Sequence, residues 1–153
     1  MSAQRSILRL LTVLWAGSLW SLAAWVAPTL FAVQSDRHVA GQIAARLFGI
    51  ESYVGLGVAL LAALLPERRH FRWGYIAAAL LALGQWVLKP IMAAAQSHGT
   101  AAGLSFGAWH GVSAALYLLA CAAVVVLICK GPPPQLQRDQ SGSRIFASDS
   151  PRR

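Results

Sequence analysis

The feature that most constrains this sequence is a long stretch without any charged side chain, from residue 10 to residue 34. A helix rises about 1.5 Å per residue, so about 20 apolar residues cross the hydrocarbon of a bilayer. The run therefore predicts a transmembrane helix over residues 10–33. It is longer than the hydrophobic region of a signal peptide, about 7–15 residues, so an uncleaved span is favoured over a cleaved signal. Three further apolar runs predict spans over residues 47–65, 73–95 and 104–129.

The composition agrees with lipid as the surrounding solvent. Hydrophobic residues make up 57% of the 153 residues and charged residues 12%, against about 25% charged residues in a typical soluble domain. Short segments join the predicted spans, so we expect an all-α fold over residues 1–130, an integral membrane up-and-down bundle of four transmembrane helices. Residues 131–153 begin with a glycine and three prolines and are poor in apolar side chains, which predicts a disordered cytoplasmic tail.

The basic side chains predict the orientation of the bundle. One side carries Arg5, Arg9, Arg68, Arg69, Arg72, Lys130, Arg138, Arg144, Arg152 and Arg153, and the other carries Arg37, Arg46 and Lys89. Because positive charge is enriched on the cytoplasmic side, both termini are predicted to be cytoplasmic, and residues 34–46 and 96–103 to lie outside. For residues 34–46 an amphipathic extension of the second span is the alternative to a loop. We expect a multi-pass protein of the cell membrane, most simply a bacterial inner membrane. The lipid bilayer is the expected partner, and nucleic acid is not, because the basic residues form no aromatic-rich binding face.

Three ionisable residues in the spans are the candidates for a functional site. Counted from the predicted span ends, Glu51 lies about 6 Å deep, and Lys89 and His110 each about 9 Å deep. This arrangement predicts a polar layer in the outer leaflet, where pairing with Glu51 would offset the cost of placing a cation in lipid. One interpretation is structural, with the three residues joining helices or reaching the interface. The other is a small polar site that opens to the outside, in which Glu51 and His110 exchange protons.

Small residues at helical spacing predict where the helices pack closely. Gly107, Gly111 and Ala115 recur every four residues in the last span, as do Gly55 and Ala59 in the second. Such stripes let two helices approach each other, so these residues are expected at helix contacts. Two prolines, at positions 28 and 90, are expected to kink the first and third spans near the outer side.

No motif of a known catalytic centre is present, so no catalytic residue, cofactor or metal site is predicted. We expect a non-enzymatic protein that is transport-related or an accessory subunit, with a homo-oligomer or another membrane protein as a possible partner. The alternative is a redox or metal-binding membrane protein that uses His110 to hold copper or haem. Since His110 is the only histidine within a predicted span, a haem between two such histidines is disfavoured.

Several short motifs resemble a known family. They are Trp15-x-Gly17, Ala27-Pro28-x-Leu30-Phe31, Ala40-Gly41, Leu47-Phe48 ahead of Tyr53, and Phe106-x-x-x-His110-Gly111-x-Ser113. In this order, over about residues 8–128, they resemble the domain-of-unknown-function family of small four-helix membrane proteins that includes eukaryotic transmembrane protein 205. The residues that match its pattern are Pro28, Phe31, Gly41, Phe48, His110, Gly111 and Ser113. The resemblance implies a four-helix membrane protein of unassigned activity and gives none of them a catalytic role. A weaker likeness is to four-helix copper-resistance proteins, although Met/His clusters are missing here.

Overall fold

Four long helices make up the chain, in a computed structural model that describes residues 2–65 and 68–130. Each is long and apolar enough to cross a membrane, and we call them spans 1 to 4. They cover Ser6–Val33, Arg37–Ala63, Arg69–His98 and Phe106–Cys129. Consecutive spans pack side by side and span 4 returns to span 1, as in an up-and-down bundle. The predicted all-α membrane fold is confirmed, and the predicted disordered tail, residues 131–153, lies outside the described residues.

Spans 1 and 3 are each interrupted by a π-helical segment close to a proline. The helix that contains span 1 begins at Ser2. It consists of α-helical Ser2–Ser21, π-helical Leu22–Val26 and α-helical Ala27–Val33. Span 3 follows a 3₁₀ turn, Arg68–Phe71, with α-helical Arg72–Leu83, π-helical Gly84–Leu88 and α-helical Lys89–His98. A proline removes one helical hydrogen bond and crowds the carbonyl four residues before it. For Pro28 and Pro90 that carbonyl lies inside the π segment, so the wider turn accommodates the ring.

Span 2 starts earlier than the sequence analysis predicts, at Arg37 rather than at residue 47. The carboxylate of Asp36 caps this helix by accepting hydrogen bonds from the backbone N–H groups of His38 at 2.8 Å and Val39 at 3.3 Å. An aspartate at this position satisfies backbone donors that the first helical turn leaves unpaired. The predicted loop over residues 34–46 is therefore reduced to the short link between Val33 and Arg37.

Spans 3 and 4 are joined by a small antiparallel hairpin, Thr100–Ala101 paired with Leu104–Ser105. The two residues of the turn, Ala102 and Gly103, both have a positive φ, 49° and 77°. The indole N–H of Trp109 donates a 2.8 Å hydrogen bond to the carbonyl of Ala101, which ties the hairpin to span 4. We call this end of the bundle the hairpin end. The opposite end, where span 1 begins and span 4 ends, is called the termini end.

The hydrophobic core lies in the termini half of the bundle. Its buried members include Trp15, Leu19, Ala62, Ala78 and Val124, from all four spans. Many of its positions are alanine, which lets the helix backbones approach closely there. The four helices are therefore packed tightly at the termini end, and the space between them is found at the other end.

Candidate functional site

A large cavity occupies the hairpin half of the bundle and is lined by residues of all four spans. Its volume is about 750 Å³. Along span 2 the lining extends from Arg37 to Ser52, a distance of about 22 Å at the rise of an α-helix. The cavity thus reaches from the hairpin end to the level at which the tight core begins.

Hydrogen-bonded side chains form the floor of the cavity. The hydroxyl of Tyr117 on span 4 donates a 3.0 Å hydrogen bond to the carbonyl of Leu19 on span 1. Its ring meets the ring of Phe48 edge to face, with centroids 4.7 Å apart. The hydroxyl of Ser52 on span 2 lies 3.3 Å from the carbonyl oxygen of Leu81 on span 3. These contacts connect all four spans at one level, so the floor is held in place by groups with satisfied hydrogen bonds.

The walls carry most of the ionisable groups of this half of the bundle. Arg37, His38, Lys89 and His110 all contribute to the lining. His110 stacks on Phe106 with ring centroids 6.1 Å apart. Lys89 directly follows the π segment of span 3, and π turns of this kind are frequent at functional sites.

Glu51 does not share the layer that the sequence analysis predicts. With span 2 starting at Arg37, Glu51 lies about 21 Å from the hairpin end of that helix, instead of about 6 Å. Its carboxylate contacts Ser18 on span 1, with Ser18 Oγ 3.1 Å from Glu51 Oε2. Lys89 and His110 line the same cavity, whereas Glu51 lies outside its lining. The common layer is therefore not formed, because the early start of span 2 moves Glu51 to the middle of the bundle.

The residues of the family-like motifs converge on the cavity. Its lining includes Phe31, Gly41, Phe48, His110 and Ser113. These positions come from three different spans, and the sequence alone gave no reason to place them together. The remaining two, Pro28 and Gly111, are exposed on the outside of the bundle.

The two small-residue stripes have different environments. Gly55 and Ala59 are buried, and a Cβ added at Gly55 would lie 2.6 Å from the ring of Trp15. The stripe of span 4, Gly107, Gly111 and Ala115, is exposed, and nothing lies within 4 Å of a Cβ added at Gly111. The expected contact of this stripe with another helix of the same chain does not occur, because span 4 turns its opposite face, with Ala120, Cys121 and Val124, to the core.

The described residues contain no group of three or more His, Cys, Asp or Glu side chains that could hold a metal ion. His38 and His110 both line the cavity, and His38 Nε2 lies 3.0 Å from Nε2 of Gln42. His98 instead turns back onto its own helix, with Nδ1 3.1 Å from the carbonyl oxygen of Ala94. The cavity therefore presents cations and hydrogen-bonding groups to a ligand and no assembled metal site.

These features define a class, a multi-pass membrane protein whose four helices enclose a cavity in one half of the bundle. The chain belongs to the family described as a domain of unknown function, DUF4149, whose model matches residues 10–101. That match covers span 1 from residue 10 onward and all of spans 2 and 3, including Lys89, and it ends before His110. No protein of curated function and no solved structure matches the chain.

Proposed function

We propose that this protein is a non-enzymatic membrane protein that binds a small amphipathic molecule in the cavity, in a transport-related role. The observation that carries the proposal is the cavity itself, at about 750 Å³. Ligand sites in proteins typically measure about 300–1,000 Å³ and combine apolar walls with a few polar groups. Here polar groups such as Arg37 and Gln96 share the lining with Phe31, Phe48 and Leu116. A molecule with one polar and one apolar part fits this distribution.

The hydroxyl groups of the floor have a structural role in this proposal. Ser52 and Tyr117 both direct their hydroxyls to backbone carbonyls. A nucleophilic hydroxyl instead needs a basic side chain within hydrogen-bond reach. Neither residue has such a contact in the described part of the chain, so we assign them a structural role under the ligand.

The proposal includes an orientation and a location. The excess of basic residues at the termini end favours a cytoplasmic position for that end, which puts the cavity in the outer half of the membrane. The short loops between the spans support our placing the protein in a bacterial inner membrane. The link to the family of eukaryotic transmembrane protein 205 stays a prediction that rests on the motif residues.

The binding proposal is tested by filling the cavity. Gly41 lines it, and a Cβ at this position meets nothing within 4 Å, so we expect Gly41→Leu to place a side chain in the ligand space. Gly57→Leu is the matched control on the same helix, since Gly57 is exposed, outside the lining and equally open. Both changes replace a glycine inside a helix, so both variants gain the same helix stability, about 0.5–1 kcal/mol.

The measurement is the thermal denaturation of purified protein in a neutral detergent, with and without hexadecanol, palmitate or hexadecylamine. A ligand that binds only the folded state raises the midpoint temperature. We expect at least one of the three to stabilise the wild type and Gly57→Leu, and none to stabilise Gly41→Leu. Equal behaviour of the two variants, or no stabilisation of the wild type, would overturn the proposal.

An accessory role is the second candidate, and one observation favours it. The exposed stripe of Gly107, Gly111 and Ala115 is open to a helix from outside the chain. Co-purification from native membranes with the wild type, but not with Gly111→Leu, would support it. The alternative of a metal or haem at His110 is addressed by metal analysis and by the absorbance of the purified protein.

A further inference from the structure

We propose that the cavity selects amphiphiles with a compact anionic head group, a carboxylate or a phosphate, and that the ammonium of Lys89 is the main contact of that head group. This inference rests on the proposed binding function and adds the charge and the chemical class of the ligand.

The charge of the lining is the first argument. Arg37 and Lys89 line the cavity, with His38 and His110 beside them, and none of the described lining residues is Asp or Glu. The two nearest carboxylates have other contacts, since Asp36 caps span 2 and Glu51, in the middle of the bundle, contacts Ser18. A cleft lined by one sign of charge between low-dielectric walls concentrates ions of the opposite sign. The cavity is therefore electropositive and favours an anion.

The position of Lys89 is the second argument. It lies nine residues before the end of span 3 at His98, which corresponds to about 13 Å of helix. In the part of the chain that the structure describes, Lys89 forms no ion pair with a carboxylate, and its side chain lines the cavity. Charged side chains within spans are unfavourable in lipid and usually pair with an opposite charge. An anion in the cavity would supply that partner.

The distribution of apolar groups is the third argument. Phe31, Phe48, Leu80, Met92 and Leu116 line the same space as Lys89. A free inorganic anion would leave these surfaces in contact with water, whereas an alkyl chain would bury them, which is favourable. The lining thus favours an anion that carries an apolar tail over an anion alone.

The test compares ligands with closely matched alkyl chains and different head groups. Hexadecyl phosphate is anionic, hexadecanol is neutral and hexadecylamine is cationic, and the contribution of the chain cancels between these three. Palmitate is a second anion whose alkyl chain is one methylene shorter, so its affinity underestimates the preference for a carboxylate. Inorganic phosphate and hexanoate test whether an anion without a long apolar tail also binds. Apparent affinities come from the concentration dependence of the denaturation midpoint of the full chain in a neutral detergent.

The variants isolate the charge at one position. Lys89→Gln removes it, Lys89→Arg keeps it, and Arg46→Gln removes a cation from an exposed position of span 2 outside the lining. For the wild type, Arg46→Gln and Lys89→Arg, we expect the anionic amphiphiles to bind about tenfold more tightly than hexadecanol, as for one charge-assisted contact. For Lys89→Gln we expect the affinities for the anionic and neutral ligands to differ by less than about twofold. If Lys89→Gln does not fold, the wild type alone gives the answer, because added salt should weaken binding of palmitate and leave binding of hexadecanol unchanged.

The outcomes separate this inference from the function on which it rests. Equal affinities for palmitate, hexadecanol and hexadecylamine in the wild type would overturn the anion selectivity and leave the binding function intact. If inorganic phosphate or hexanoate binds as tightly as palmitate, the ligand does not need an apolar tail. This result would overturn the proposal of an amphiphilic ligand and identify a site for a free anion. Failure of every long-chain ligand to bind would overturn both proposals.

Discussion

The contact between Gly55 and Trp15 gives the sharpest prediction about the stability of the bundle. A Cβ at Gly55 would lie 2.6 Å from Cζ2 of Trp15, against about 3.4 Å at the start of ordinary contact, so the indole would have to move by about 0.8 Å. Trp15 is only 2% exposed and is enclosed by the core. Overpacking of such a core costs about 1–3 kcal/mol. We therefore expect Gly55→Ala to lower the free energy of unfolding by this amount relative to Gly57→Ala.

The control is chosen so that only the clash differs. Gly57 lies on the same span, and a Cβ there meets nothing within 4 Å, so both variants share the gain of about 0.5–1 kcal/mol for replacing a helical glycine by alanine. Unfolding is followed by circular dichroism during titration of dodecyl maltoside micelles with sodium dodecyl sulfate. Equal stability of the two variants would refute the packing argument.

A double-mutant cycle tests whether the ring of Trp15 is the cause. Trp15→Phe shortens the ring, and it also removes an indole N–H that is buried without a hydrogen-bond partner. In that background the cost of Gly55→Ala should fall, with a coupling free energy of about 0.5–3 kcal/mol. A coupling of zero would mean that the alanine is accommodated by a movement elsewhere in span 2.

Two further predictions concern the topology and the middle of the bundle. In a background without the native cysteines, Thr100→Cys should react with an impermeant thiol reagent on intact cells and Arg69→Cys should not; the reverse pattern would invert the proposed orientation. Ser18→Ala removes the contact of Glu51 and should cost about 1–3 kcal/mol of unfolding free energy, whereas Glu51→Gln keeps a group that can bond to Ser18 and should cost less. Ser97→Ala is the control, since Ser97 is exposed and bonds only to neighbours on its own helix end; an equal loss in both serine variants would contradict the assignment.

The four spans could be predicted because lipid imposes a simple rule on the sequence. A spanning segment must satisfy its own backbone hydrogen bonds and avoid charge, so apolar length alone locates it. The ends of the helices follow a different rule. Span 2 continues past Arg46 to Arg37 because Asp36 caps it there, and helix capping is independent of hydropathy. An apolar-run criterion stops at the first charges and therefore misses this extension.

The error in the predicted site follows directly from the error in that helix end. A depth counted from residue 47 places Glu51 at the level of Lys89 and His110. The carboxylate of Asp36 followed by Val39 is a capping signal that the sequence does contain. Using it as the start of span 2 would have placed Glu51 near the middle of the bundle and left Lys89 and His110 as the candidates. Which of the two stripes is buried could not be read from spacing, because Gly55 and Gly111 have the same pattern and face different environments.

The distribution of helix irregularities explains why the cavity forms at the hairpin end. Both π segments, Leu22–Val26 and Gly84–Leu88, lie in the hairpin halves of their spans, and the prolines follow immediately. An extra residue in a turn displaces the side chains beyond it and breaks the regular spacing that allows two helices to interlock. In the termini half, uninterrupted α-helices present alanines and Gly55 to one another and pack closely. The four helices are therefore packed closely in the termini half and leave a cavity in the hairpin half, where five of the seven residues that match the family pattern contribute to the lining.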